Sequence, residues 1–207
     1  MVHYKVTYWN GRGAAEVHRQ LLFLAKQEFE DHRVERDNWP ALKPSMPFGQ
    51  VPVLEEDGKQ LAQSSAIARY LARKYGFAGK NAWDEAQVDA LSDQFKDFCK
   101  SFQPYIAVIF GVGEGDKEKL KEEVFLPAAK TNLPYFVRAL KNSGSGYLVG
   151  DSLTYVDLMI AELTSSFFEK NAPEVLDEFP EMRKHYKKVQ SHPDLKKWIE
   201  TRPETVF

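Results

Sequence analysis

Along the first eighty positions apolar residues come in short runs separated by turns; beyond them they recur at helical spacing over long stretches. Lys5 to Tyr8 is rich in β-branched and aromatic types and predicts a strand. The turn Asn10-Gly11-Arg12-Gly13 follows, and Ala14 to Ala25 then sets Val17, Leu21, Leu24 and Ala25 on one face of a helix. Phe29 to Val34 alternates charged with less polar residues, as a half-exposed strand does. After an irregular stretch broken by Pro40, Pro44 and Pro47, Val51 to Glu55 predicts a third strand. Asp57-Gly58 is a hairpin turn, and Gln60 to Ala62 the returning strand. Ser64 or Ser65 can cap a helix with Ile67, Tyr70, Leu71 and Tyr75 on its apolar face, ending at Gly76. A helix between the first two strands makes them parallel, and the hairpin makes the last two antiparallel. The expectation is a small mixed sheet in β-α-β, β-β-α order.

After a short linker, a long helix is expected from Asp84, with Val88, Leu91, Phe95, Phe98, Phe102 and Ile109 along one face. Gly111 to Asp116 breaks it, and Lys117 to Asn142 is again helical, with Pro127 and Pro134 as kinks or interruptions. Tyr155 to Phe168 is apolar on most faces, the pattern of a central buried helix, and Thr154 with Asp157 forms a capping box at its start. Smaller helices are expected after Pro173, Pro180 and Pro193.

Composition narrows the function classes. The 207 residues, 43% of them hydrophobic, suffice for one large domain or two small ones. Lys plus Arg number 28 against 30 Asp plus Glu, interspersed, so no overall field favours nucleic acid or a membrane surface. Cys99 is the single cysteine, which excludes an intramolecular disulfide and a thiolate-built zinc cluster. No stretch approaches a membrane span and the first residues lack an apolar leader, so the expected compartment is the cytoplasm.

Four segments carry more specific information: Tyr4 to Gly13, Trp39 to Lys43, Pro47 to Leu54, and Gln63-Ser64 followed by Ile67 to Leu71. With the strand and helix order, they resemble the cytosolic glutathione transferases, and within them the sigma class, helminth-type members above all. The resemblance runs nearly end to end. It implies a thioredoxin-like domain over residues 1–79 with a mixed four-stranded sheet, and an all-helical domain over 80–207 completing a hydrophobic substrate site. It further implies a homodimer, glutathione as co-substrate and no metal.

Such an enzyme must ionise a thiol. A thiol of pKa near 8.5 is only about 3% thiolate at pH 7, and the thiolate is the nucleophile. A hydroxyl that donates a hydrogen bond to sulfur favours the ionised form, and the resemblance places Tyr8 in that role. Glutathione itself is an extended peptide with two carboxylates and one amine. The resemblance implies a cis bond at Val51-Pro52, with the Val51 backbone pairing the cysteinyl part. Trp39, Lys43 and Gln50 are implied as the clamp on the glycyl end, and Gly49 as the close approach of that loop. Gln63-Ser64, at a helix start, suits the γ-glutamyl carboxylate. Asp97 is implied to reach the amine across a dimer interface. The electrophile site maps to Trp9, Gly13, Cys99, Tyr105, Met159, Leu163 and Phe207.

Each of these residue types also has an ordinary structural use, as core aromatic, surface lysine, plain helix cap or small buried thiol. Two departures stand out. Ala14 occupies the place of an arginine in many relatives, and Gln50 that of a lysine. Because Tyr8 stands where thiol-transferase relatives hold cysteine, disulfide exchange is not expected. The resemblance leaves open carriage of haem or other hydrophobic ligands, and glutathione-dependent prostaglandin isomerisation.

Overall fold

A computed structural model describes residues 2–205 of the chain. Its contacts gather into two compact units, one formed by the residues up to Ala78 together with those from Gln190 onward, the other by Gly79–Val189.

The first unit is a thioredoxin-like sheet flanked by helices. Its strands are β1 (Tyr4–Trp9), β2 (Phe29–Val34), β3 (Val53–Glu56) and β4 (Lys59–Ala62), in spatial order β2-β1-β3-β4. β1 pairs parallel with β2 and antiparallel with β3, and β3 pairs antiparallel with β4, as the connection lengths require. The hairpin between β3 and β4 turns on Asp57 (φ 48°) and Gly58 (φ 79°), two successive left-handed residues that match the twist of the strands. A single 3₁₀ turn, Gly13–Ala15, leads into α1 (Glu16–Leu24). α2 (Trp39–Leu42) lies in the proline-rich stretch, and α3 (Ser64–Tyr75) ends on Gly76 in the left-handed conformation. Val6, Leu21, Leu22, Leu54, Ile67 and Leu71 close the core between sheet and helices.

The sequence pattern assigns 190–207 to the helical half, whereas the packing gathers Gln190 onward with the sheet unit. The reason is the helix Pro193–Thr201, in which Leu195 and Trp198 are buried. Trp198 lies against Phe23 and Phe29, with ring centroids 5.3 and 5.8 Å away, and its indole N–H donates to Glu16 Oε1 at 2.7 Å.

The second unit is helical. α4 (Ala82–Ser101) begins three residues after Gly79, earlier than the expected start at Asp84, because the Asn81 side chain accepts from the Trp83 and Asp84 N–H groups at 2.9 and 3.0 Å. Its apolar stripe does not continue unbroken to Ile109. The helix stops at Phe102, and α5 (Gln103–Ile109) starts afresh with Pro104 in its first turn, where no N–H is needed. α6 (Lys117–Leu120) passes through a π-helical turn, Lys121–Phe125, into α7 (Leu126–Ser143). Pro127 therefore sits in the first turn of α7, and only Pro134 is interior. α8 (Tyr155–Leu163) ends in a second π-helical turn, Thr164–Phe168. Short helices follow at Glu169–Asn171, Pro173–Glu178 and Pro180–Gln190.

The core of this unit is aromatic: Phe98, Phe102, Tyr105, Phe125, Phe136, Phe167 and Phe168 are buried together. Phe98 meets Phe102 at 4.8 Å and Tyr105 stacks on Phe125 at 5.0 Å, contacts worth about 1 kcal/mol each beyond area burial. The buried Asp157 completes the capping box, accepting from Thr154 N–H at 2.9 Å and Thr154 Oγ1–H at 2.7 Å. It also accepts from the Leu148 N–H and faces His185 Nε2, at 2.8 and 2.9 Å. Among the described residues no helix is long and apolar enough to cross a membrane.

Candidate active site

Tyr8 stands near the carboxyl end of β1, one residue before the strand ends. The chain then folds back over its ring. Gly13 has φ +40°, and a Cβ there would lie 2.6 Å from Tyr8 Oη, so only glycine lets the turn close on the phenol. The next residue's N–H, that of Ala14, donates to Tyr8 Oη at 3.3 Å. A phenol that accepts this bond keeps its own O–H proton for another acceptor. Burial raises the Tyr8 phenol above its ordinary value near 10, opposed by the Ala14 N–H and by the charge of Arg19. Tyr8 is therefore a neutral hydroxyl at physiological pH, a donor and not a base.

Beneath the ring lies an ion set that the sequence reading missed. Arg19 is fully buried, with its guanidinium carbon 6.0 Å from the Tyr8 ring centroid. It donates to the Gly11 and Arg12 carbonyls at 2.8 and 3.3 Å, so it holds the turn that delivers the Ala14 N–H. Its charge is met by Asp31 at 2.8 Å and Glu16 at 3.4 Å. Asp31 also binds Arg33, and Glu16 binds Arg202 at 2.7 Å as well as Trp198. Helical periodicity puts Glu16 and Arg19 opposite the apolar face of α1, and no local signal contradicts a solvated position, because the second carboxylate that meets Arg19, Asp31, comes from β2. The departure at residue 14 also reads differently in three dimensions: it is the Ala14 backbone that reaches the phenol.

The expected clamp residues cluster on the loop between β2 and β3. Trp39, half-buried, meets Trp9 edge to face at 4.9 Å and packs with Leu42 and Val51 on the buried Met46, Val53 and Ala62. Trp9, read from the sequence as an electrophile-site residue, thus contacts a clamp residue. Lys43 and Gln50 are exposed, and Gly49 (φ +59°) places its missing Cβ 3.4 Å from Lys43 Cε. The Val51-Pro52 bond is cis. The register of β1 with β3 ends at Thr7–Val53, two residues beyond Val51, which lies outside the ladder.

Gln63 precedes α3 with φ 74° and ψ 112°, a conformation that non-glycine residues rarely adopt. Its carbonyl accepts from the Ile67 N–H at 3.0 Å, and the Ser64 carbonyl lies 2.8 Å from His18 Nε2. Burial lowers His18 to about 4, against the Ser64 carbonyl, which raises it. At neutral pH His18 is uncharged.

In the second unit, Asp97 is an exposed residue of α4. Cys99 is two residues on, its thiol pushed up to about 12 by burial, which makes it a poor nucleophile. Tyr105 is fully buried within the aromatic core, while Met159 and Leu163, on α8, are half-buried. Met159 Sδ accepts from Ser92 Oγ at 3.6 Å. Phe207 lies outside the described residues. The expected electrophile set is thus divided, Trp9 and Gly13 in the sheet unit and the other described members in the helical one.

Comparison with known proteins places this geometry. Residues 4–73 match the family described as glutathione S-transferase, N-terminal domain, and residues 99–202 that described as glutathione S-transferase, C-terminal domain. The chain belongs to the glutathione S-transferase family. Over 207 residues, the whole of both chains, it is 55% identical to the probable glutathione S-transferase 7 of Caenorhabditis elegans. It is similar to the crystal structure of a monomeric glutathione S-transferase from the hookworm Necator americanus, with TM-score 0.95 and 57% identity over 99% of this chain and 100% of that one. It is also similar to a Nu-class enzyme from Haemonchus contortus, with TM-score 0.91 and 54% identity over the whole of both chains. The protein is a glutathione S-transferase, an enzyme of a family that takes glutathione as co-substrate.

Proposed function

We propose that Tyr8 is the catalytic hydroxyl of this transferase, donating its proton in a hydrogen bond to the glutathione sulfur. One observation carries the reading: Tyr8 Oη already accepts the Ala14 N–H, and burial keeps the phenol protonated. A charge-assisted bond of this kind contributes about 1.5–3 kcal/mol, enough to lower the thiol pKa by about two units. At pH 7 the bound thiol then passes from about 3% thiolate to about three-quarters. The thiolate attacks an electrophilic carbon, a carbon–sulfur bond forms, and a leaving group departs or a proton is taken up. Hydrophobic electrophiles are the second-substrate class, and detoxification the use. The sigma-type assignment belongs to the same proposal, beside the Nu-class name of a relative.

The tripeptide is held along its length. Trp39 offers an indole donor, Lys43 a cation and Gln50 an amide to the glycyl carboxylate. Gly49 keeps that loop close, and Val51, outside the strand ladder, pairs its backbone with the cysteinyl residue. The start of α3 at Gln63-Ser64 receives the γ-glutamyl carboxylate. The partner subunit's Asp97 takes the amine in a homodimer; sedimentation showing a monomer, the state named for the Necator americanus relative, would remove it from the site.

Ultraviolet titration of enzyme-bound glutathione tests the central claim. The expected thiolate midpoint lies about two units below the free tripeptide's, and returns toward it in Tyr8→Phe. A bound thiol that titrates at its solution value overturns the reading.

A further inference from the structure

His18 is the third residue of α1, between the buried ion-set members Glu16 and Arg19, yet it makes a contact of its own. Its side chain is fully buried, Nε2 lies 2.8 Å from the Ser64 carbonyl, and Nδ1 has no hydrogen-bond partner. A carbonyl only accepts, so Nε2 carries the proton. An orphaned buried nitrogen is a net cost that an apolar side chain of the same size would not carry. Packing alone therefore does not account for an imidazole here; the bond to Ser64 does.

That bond falls where the backbone needs support. Gln63 holds a left-handed conformation, and such conformations persist only where the surroundings over-determine them. The Ile67 N–H fixes the Gln63 carbonyl, and with it the peptide plane that carries the Ser64 N–H. His18, reaching from another helix, fixes the Ser64 carbonyl and so the next plane, which carries the Ser65 N–H. In a trans peptide the N–H points opposite to the C=O, so the Ser65 N–H is directed out of the amino end of α3.

We infer that His18 is a positioning residue for glutathione, locking the first peptide plane of α3 so that its N–H meets the γ-glutamyl carboxylate. The inference rests on the proposed use of the α3 start. It acts through backbone geometry: it should change how tightly the carboxylate end is held, and leave the sulfur chemistry alone.

The test is titration calorimetry with two ligands on wild type, His18→Leu and His18→Gln. One ligand is glutathione; the other is 4-aminobutanoyl-cysteinyl-glycine, the same tripeptide without the γ-glutamyl α-carboxylate. His18→Leu should weaken glutathione about ten-fold, as expected for one misplaced hydrogen bond to a charged group, and leave the analogue's affinity unchanged. KM for glutathione should rise with kcat and the bound thiol's midpoint retained, and His18→Gln, which keeps an N–H, should recover most of the loss. His18→Met carries the same expectations and serves if His18→Leu does not fold. Unchanged glutathione affinity, or equal losses for both ligands, overturns the inference while the reading of α3 stands. If wild type itself binds both ligands equally, both fall.

Discussion

In the sheet unit, Glu16 and Arg19 are withdrawn from water beneath Tyr8 and neutralised by Asp31 and Arg202, while His18 is buried beside them with half its hydrogen-bonding capacity unused. In the helical unit, the centre is a stack of phenylalanines with Tyr105, and the deepest charge, Asp157, is satisfied by a helix cap, a loop N–H and a histidine. Both units bury charge, but to different ends. Asp157 ties chain segments together and touches nothing reactive. Arg19 braces a turn whose next N–H polarises a phenol. Burying an ion is expensive either way; in the sheet unit the expense is concentrated under Tyr8, the residue proposed to carry the chemistry.

That contrast can be broken, beginning with the largest effect. Asp157→Ala strands the Leu148 and Thr154 N–H groups and should cost about 4 kcal/mol in denaturant unfolding, with the bound thiol's midpoint unmoved in the protein that remains folded. A catalytic defect out of proportion to unfolding would erase the distinction between the units. Next comes the acid limb of stability. Above about pH 6.5 His18 is neutral in both folded and unfolded chains. Below it the unfolded chain takes a proton that the folded chain refuses until about pH 4, so stability falls on acidification across that window. The full effect is on the order of 3 kcal/mol, and the unfolding free energy of His18→Gln should depend less on pH between those limits.

Tyr8→Phe should lower turnover about a hundred-fold, roughly 2.7 kcal/mol in the transition state, while unfolding free energy falls by only about 1 kcal/mol, the cost of removing the acceptor of the Ala14 N–H. The opposite partition would make Tyr8 a core aromatic. Gly13→Ala is the gentlest probe. Its Cβ would fall 2.6 Å from Tyr8 Oη, so the ring must shift, and kcat/KM should drop about ten-fold. Unchanged kinetics would show that the turn can move without the phenol.

How much of this was legible beforehand depended on whether the cause was local. β2 falls on Phe29–Val34 as its alternation predicts, and α3 stops at Gly76 because that glycine takes a left-handed conformation. The Thr154–Asp157 capping box is four residues long and readable as such. The break at Phe102 was not: the apolar stripe continues through it, and only the new start at Pro104 marks the boundary. The two π-helical turns are invisible to a 3.6-residue period for the same reason. At the site, the residue types of Tyr8, Trp39 and Gln63-Ser64 were nameable from motifs, whereas Arg19, His18 and the Ala14 N–H act through partners that the chain brings in from elsewhere. A pattern of polar residues on a helix cannot tell a solvated face from one awaiting a distant carboxylate.

The bonds from Trp198 and Arg202 to Glu16 span 182 and 186 positions. A ribosome delivers α1 long before it delivers those two side chains. Until they emerge, Glu16 has only Arg19 for company, and the floor under Tyr8 is unfinished. The turn proposed to carry the chemistry is thus translated first and completed among the last, and a chain released before Trp198 would leave the buried Glu16 carboxylate with Arg19 alone.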